Sequence, residues 1–259
     1  MTTTARSAFA LTTLAATAAL ADEPRDAGEQ TPPAAGFAVV ELFTSEGCSS
    51  CPPADRLLAE IDAWAEQHGA DVYALSFHVD YWNRLGWTDP YSHRQSTERQ
   101  RSYAAARRSS RVYTPQMIVN GSAEFVGSDA RLAARALGRA LETGAAASLS
   151  IDVDLNDANA ETLRVAYHAT GSPDDAVINV AVVQNEGRQR VARGENAGRT
   201  LRHVNVVREF RSSPVERGGS GVVRIARPAD DVGTYRVIAF LQESETKRVV
   251  AAASTNPAS

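Results

Sequence analysis

Phe37 to Phe43 is a short, nearly unbroken apolar run that ends at Thr44-Ser45, a pattern suited to a strand buried on both faces of a parallel sheet. Beyond it, Leu57, Leu58, Ile61, Trp64 and Ala65 recur at helical spacing, which predicts one apolar face on a helix ending near His68-Gly69. Val72 to Val79 is a second apolar run, so strand, helix and strand within about 45 residues predict a βαβ unit with a right-handed crossover. Ser92 to Ser109 is rich in Gln, Glu, Ala and Arg but thin in apolar positions, which predicts a largely solvated helix stopped by Thr114-Pro115. Met117 to Val119 and Glu124 to Val126 flank Asn120-Gly121, a pair suited to a hairpin turn with positive φ. A last helix starts at Ser128 or Asp129, carries Leu132, Leu137, Ala140 and Leu141, and stops at Gly144.

From Ser148 the period changes to two: Leu149, Ile151, Val153 and Leu155 alternate with Ser150, Asp152 and Asp154. Six further strands are expected at Leu163 to Tyr167, Val177 to Val183, Leu201 to Val207, Val222 to Ile225, Tyr235 to Leu241 and Val249 to Ala252. So many short strands separated by turn residues predict an antiparallel sandwich.

The N-terminal residues have a different character. Arg6, the apolar run Ala8 to Leu20, and Ala19-Leu20-Ala21 before Asp22 have the pattern of a signal peptide over 1–21. Residues 22–35, with Pro24, Gly28, Pro32 and Pro33, have linker composition. The expected organisation is therefore a leader over 1–21, a linker over 22–35, an α/β domain over 36–146 and an all-β, sandwich-like domain over 147–256. An exported chain is expected in the periplasm or outside the cell.

Composition narrows the functional classes. Hydrophobic residues at 43% and charged residues at 22% fit a globular protein and exclude a disordered one. The net charge of −4 gives no reason to expect nucleic acid or an anionic membrane surface as a partner. No apolar segment reaches the length of about 20 residues that spans a bilayer, so no membrane insertion is expected. The pattern leaves the oligomeric state open. An exported chain folds where disulfides persist, and this one has only 2 cysteines, Cys48 and Cys51.

Those two form a Cys-x-x-Cys pair followed at once by Pro52-Pro53. Proline lacks the N–H that a helix interior needs, so both prolines belong in the first helical turn and set Cys48 at the helix start. Backbone N–H groups and the positive end of the helix dipole there favour a thiolate, which brings a thiol pKa of about 8.5 into the range of about 3.5 to 7.5. Cys48 is then the attacking sulfur and Cys51 the less exposed resolving one. A purely structural cross-link is the bland alternative. By the loop-entropy relation a four-residue ring contributes only about 2 kcal/mol, against about 4.7 for a hundred-residue loop. Metal ligation by the two thiolates is the other alternative.

The order strand, Cys-x-x-Cys, helix, strand, helix, Thr-Pro, hairpin, helix from Phe37 to Gly144 resembles the thioredoxin superfamily. Within it, Glu41 to Asp55, Asp80-Tyr81-Trp82, Leu85-Gly86-Trp87 and Tyr113-Thr114-Pro115-Gln116 are similar to a secreted family known as domain of unknown function twelve-twenty-three. Gly194 to Thr200 and Asn205 to Arg208 extend that likeness into the second half. The resemblance implies an α/β thioredoxin-like fold with a cis Pro115 facing the cysteines and Thr114 offering its backbone to a bound extended chain. It supplies no reaction.

The end of the second strand should emerge beside the cysteines, which brings in His78, Asp80, Tyr81 and Trp82, with Trp87 close by. Trp82 and Trp87 are expected either to floor a binding groove or to plug the core. His78 lies in an apolar run, as a buried histidine would. Arg94, Arg99, Arg101, Arg107, Arg108 and Arg111 form a basic run that suits a solvated face or an acidic partner. Glu195, Asn196, Arg199, His203 and Asn205 form a polar group suited to an acid–base pair, a metal ligand or a hydrogen-bonded turn.

The expected catalytic set is thus Cys48, Cys51 and Pro115, with Thr114, Trp82, Trp87 and Asp80 contacting substrate. The reaction expected is thiol–disulfide exchange with protein thiols or small disulfides, using no cofactor beyond the cysteine pair. The alternatives are a copper-handling protein that binds through Cys48, Cys51 and His78 or His203, and a non-catalytic binding module.

Overall fold

The computed structural model of the protein describes residues 36–153, 161–228 and 234–255. The expected leader and linker lie outside them. The first half runs β1 (Ala38–Thr44), α1 (Pro52–His68), β2 (Val72–His78), α2 (Arg94–Ala106), β3 (Gln116–Val119), β4 (Ala123–Val126) and α3 (Ala130–Glu142). β5 (Ser148–Val153), β6 (Thr162–Thr170), β7 (Ala176–Arg190), β8 (Thr200–Pro214), β9 (Ser220–Ala226), β10 (Tyr235–Glu243) and β11 (Val249–Ser254) follow.

β1 pairs parallel with β2 and antiparallel with β3, so the expected βαβ unit and hairpin both form. Every residue of β1 is buried, because both of its faces are covered. Ala38, Val40 and Leu42 pack with α1 and α3, whereas Val39 and Phe43 join a second core on the opposite face. α1 begins with Pro52 in its first turn and ends at Gly69 with φ of 60°, as its sequence predicts. Leu58, Ile61 and Ala65 are buried, but Trp64 is 41% exposed and stacks on His68. Trp64 lies roughly 60° and 100° around the helix from Ile61 and Ala65, at the margin of the apolar stripe.

A thioredoxin-like α/β domain followed by a separate sandwich is not the arrangement found. Among the described residues strand makes up 45% and helix 22%, and strands from both halves join one mixed sheet of order β11-β10-β7-β8-β2-β1-β3-β4. The junction is a parallel bridge between Ser76 of β2 and Val206 of β8. β7 and β8 are 15 residues each, long enough to serve two cores. Ile178, Val180 and Val182 pack beneath a small sheet of order β5-β6-β9, whereas Val204 of β8 lies against the α1 core.

The large sheet bends so that its two halves face each other. Phe43, Leu75, Phe77 and Ile118 from one side meet Ala181, Ile238 and Phe240 from the other, with Tyr103 of α2 between them. The rims touch where Val249 N–H donates to Asn120 O at 3.1 Å and Tyr73 O–H donates to Ala252 O at 3.4 Å. Arg99, expected on a solvated face, is buried instead. Its guanidinium forms a bidentate pair with Glu41 at the centre of β1, and the Phe77, Tyr103, Phe210 and Phe240 rings surround it. Burying such a cation is tolerable because the carboxylate neutralises it and the ring faces attract it.

Candidate functional site

The site forms where β1 and β2 end. Ser45 to Cys51 leave β1 in consecutive turns, with Cys48 N–H donating to Ser45 O at 3.1 Å and Cys51 N–H to Cys48 O at 3.2 Å. Cys48 and Cys51 form a disulfide with Cα atoms 5.4 Å apart. Cys51, not Cys48, is the N-cap of α1, and Cys48 stands three residues earlier in the turn. Both cysteines are fully buried, whereas Ser49 and Ser50 between them are exposed. The exposed attacking sulfur expected of Cys48 is therefore covered in this conformation.

The Thr114–Pro115 bond is cis, and Thr114 O lies 3.8 Å from Cys48 Sγ. Ser50 Oγ is 3.2 Å from the same sulfur. Trp82 Nε1 donates to Thr114 Oγ1 at 2.8 Å and so braces this loop from the other side. Trp87 reaches the cysteine turn itself, donating from Nε1 to Glu46 Oε2 at 2.9 Å. Asp80 is not brought to the sulfurs, because Thr97 Oγ1 of α2 donates to its carboxylate at 2.6 Å.

Next to the cysteine turn lies a buried cluster of ionisable groups: Glu46, Asp55, His78, Asp89 and His203. His78 Nδ1 pairs with Asp89 Oδ2 at 2.7 Å, and its ring meets the His203 ring edge to face at 4.6 Å. His203 Nε2 lies 3.2 Å from Glu46 Oε1, and its Nδ1 lies 3.8 Å from Asp55 Oδ2. Thr44 Oγ1 donates to Asp55 Oδ1 at 2.8 Å. Asp89 also accepts the backbone N–H groups of Glu46 and Tyr91. Burial pushes the Asp55 carboxyl above its ordinary range, against the lowering influence of His203, His78 and Thr44. Burial alone would lower His78, but Asp89, Asp55 and Glu46 outweigh it and hold the imidazole above its ordinary value. Asp89 moves the other way: burial would raise it, and His78 with the two backbone donors brings it below the usual carboxylate range.

The second half of the chain closes over this turn. Between β7 and β8, Val191 to Arg199 form a loop whose ends are tied by Val191 N–H to Arg199 O and Gly198 N–H to Val191 O, both at 2.9 Å. Gly194 and Gly198 turn it at φ of 79° and 80°, where a Cβ would be strained. Asn196 is buried and donates from Nδ2 to Glu46 O and to Cys48 O, each at 2.9 Å. Glu195 accepts the Ser49 N–H at 2.9 Å, and hydrogen bonding from the Ser49 side chain and backbone holds its carboxyl below the usual range. Arg199 steadies Asn196 by donating to its Oδ1 at 2.8 Å. Asn205 belongs elsewhere, bound to Asp62 of α1 and Arg236 of β10.

Sequence reasoning named Cys48, Cys51, Thr114, Pro115, Trp82 and His78, which lie around this turn, and flagged Glu195, Asn196 and His203 without placing them. It missed Glu46, Asp55 and Asp89. Asp55 was within reach, since it stands one helical turn after Cys51 on the sheet side of α1. Asp89 lies in a loop with no periodicity to mark it. Among the described residues no three His, Cys, Asp or Glu side chains are arranged to hold a metal ion, and no helix is long and apolar enough to cross a membrane.

A crystal structure of protein AGR_C_4864 from Agrobacterium tumefaciens is similar at 29% identity and a TM-score of 0.62, over 85% of this chain and 94% of that one. HBP35 of Porphyromonas gingivalis shares the fold at 14% identity and a TM-score of 0.59, over 86% of this chain and 75% of that one. No curated protein matches. The model of a protein family of unknown function, DUF1223, matches residues 39–242, a span that holds the cysteine turn, the cis-proline loop and the Glu195-Asn196 loop together, and the chain belongs to that family.

Proposed function

We propose that the protein is an exported thiol–disulfide oxidoreductase whose working group is the Cys48–Cys51 pair. The observation that carries this reading is the company the pair keeps: a four-residue disulfide ring at the start of α1, the Thr114 carbonyl 3.8 Å from Cys48 Sγ, and buried acid–base groups on the adjoining residues. A structural cross-link would gain little from so small a ring. In the proposed reaction a thiolate attacks Cys48 Sγ and Cys51 leaves as a thiolate, forming a mixed disulfide. A second thiol then resolves that bond, so two thiols become one disulfide and the pair is reduced. The helix start favours the thiolate form of these sulfurs, and the Asp55 and His78 groups next to the turn hold protons more firmly than free side chains do.

Small disulfides or protein thiols are the proposed substrates, the cysteine pair the only redox group, and the space outside the cytoplasm the proposed location, in keeping with the leader pattern of residues 1–21. The test is redox cycling of purified, metal-free protein with dithiothreitol and glutathione disulfide, with each cysteine replaced by serine in turn. Cycling in the wild type that disappears in both Cys48→Ser and Cys51→Ser is the expected outcome. A pair that stays oxidised in excess dithiol, or stoichiometric copper lost with Cys48→Ser, would overturn the reading.

A further inference from the structure

We infer that the loop from Gly194 to Arg199 makes the centre selective for small-molecule thiols and disulfides over folded proteins, with Asn196 as the positioning residue and Glu195 as the gate. The inference rests on the oxidoreductase reading and names the substrate class of the same site.

Two observations lead to it. The first is that Cys48 is fully buried although its neighbours Ser49 and Ser50 are exposed. The second is that the backbone groups of the cysteine turn already have partners from the distant loop. Glu195 takes the Ser49 N–H, and Asn196 takes the Cys48 and Glu46 carbonyls. A protein substrate docks with its extended backbone along Thr114 and must also clear the cysteine turn beside it. Here an incoming chain meets occupied groups and must first displace the loop. A small thiol needs no backbone bonds; it needs only a path to the sulfur, which a brief opening of one short loop provides.

The two residues divide the work. Asn196 is buried, is itself held by Arg199, and bridges two carbonyls on either side of Gly47, so it fixes the shape of the turn that carries Cys48. Glu195 is at the surface and bonds to Ser49, itself exposed, so it can swing away without disturbing the core. Reduction by two small thiols RSH balances as two exchanges. RS⁻ joins Cys48 Sγ as the Cys48–Cys51 bond breaks, and Cys51 leaves as a thiolate that takes up a proton. A second RS⁻ then attacks the RS sulfur, which gives RSSR and a Cys48 thiolate.

The experiment compares the full chain with Glu195→Gln, Glu195→Ala and the Glu195→Ala/Asn196→Ala double variant. Reduced protein is alkylated with iodoacetamide and, separately, with a maleimide carrying a long polyethylene glycol chain; oxidised protein is reduced by dithiothreitol and, separately, by a folded protein dithiol. In the wild type the small reagents should act faster than the large ones by at least a hundredfold beyond their ratio on unfolded chain. The double variant should narrow that ratio at least tenfold and Glu195→Ala several-fold, with Glu195→Gln in between. Surface position makes the two Glu195 variants safe for folding, and urea midpoints check the double variant. A ratio the same in wild type and variants, or a wild type open to the large reagents, overturns the gate. Absence of redox cycling with the alkylation ratio intact overturns the oxidoreductase reading instead.

Discussion

Asp55 and His78 hold protons more firmly in the folded chain than free side chains do, because burial opposes the Asp55 anion and three carboxylates favour the His78 cation. For each the folded pKa lies above the unfolded one, so each contribution to stability is greatest at low pH and declines as pH rises through the folded value. The decline begins above 3.8 for Asp55 and above 6.5 for His78. Asp89 has the opposite sign: its folded pKa is depressed, so its contribution is complete above 3.8 and is lost only as pH falls below that. Through the interval that opens at 3.8 for Asp55 and at 6.5 for His78 the two groups therefore act in the same direction, and the urea midpoint of the oxidised protein should fall as pH rises. Asp55→Asn keeps the shape and the Thr44 contact while removing one titration, so its midpoint should fall less. A wild-type midpoint that is flat or rises over the interval would contradict this assignment.

At the scale of elements, the local patterns were legible wherever one segment carries its own instructions. β1, α1, β2 and the β3–β4 hairpin follow from apolar period, proline placement and turn residues, and α3 starts as expected with Asp129 Oδ1 accepting the Leu132 N–H at 2.9 Å. β7 was expected to stop at Val183, yet it runs on through Gln184, Asn185 and Glu186 to Arg190 because β8 pairs with it along that whole polar stretch. Strand length was illegible there, since ladder bonds and not side-chain burial sustain it. The Asn120-Gly121 turn shows both sides of this limit. Its positive φ values of 46° and 68° were expected from sequence, but its packing against Lys247 was not. A Cβ on Gly121 would stand 1.7 Å from Lys247 O, which is backbone and cannot turn aside. Gly121→Ala should thus cost at least about 2 kcal/mol through clash and φ strain together, read from urea unfolding. A loss within about 0.5 kcal/mol, the size of an ordinary surface change, would show that the turn moves freely.

The whole molecule is held by contacts that no local pattern could reveal, because they join residues more than fifty positions apart. Glu41 lies in a strand read as apolar and Arg99 in a basic run read as suiting a solvated face or an acidic partner; together with Tyr103 and Gln242 they form the lock between the two halves of the sheet. Arg99 donates to both Glu41 oxygens and to Tyr103 Oη, and Gln242 Nε2 donates to Tyr103 Oη at 2.8 Å. Such a pair is costly to bury and costlier to break, since removing one partner strands the other charge and typically destabilises by about 3 to 5 kcal/mol. Glu41→Leu should therefore leave the Arg99 cation unneutralised among four rings and lower stability by that order. Arg99→Met should do the same to the carboxylate. The double variant fills the space with apolar side chains and strands no charge, so it should be more stable than either single one, a coupling that a double-mutant cycle measures directly. If the two losses simply add, the guanidinium and the carboxylate do not stabilise each other, and this pair is not what locks the halves of the sheet.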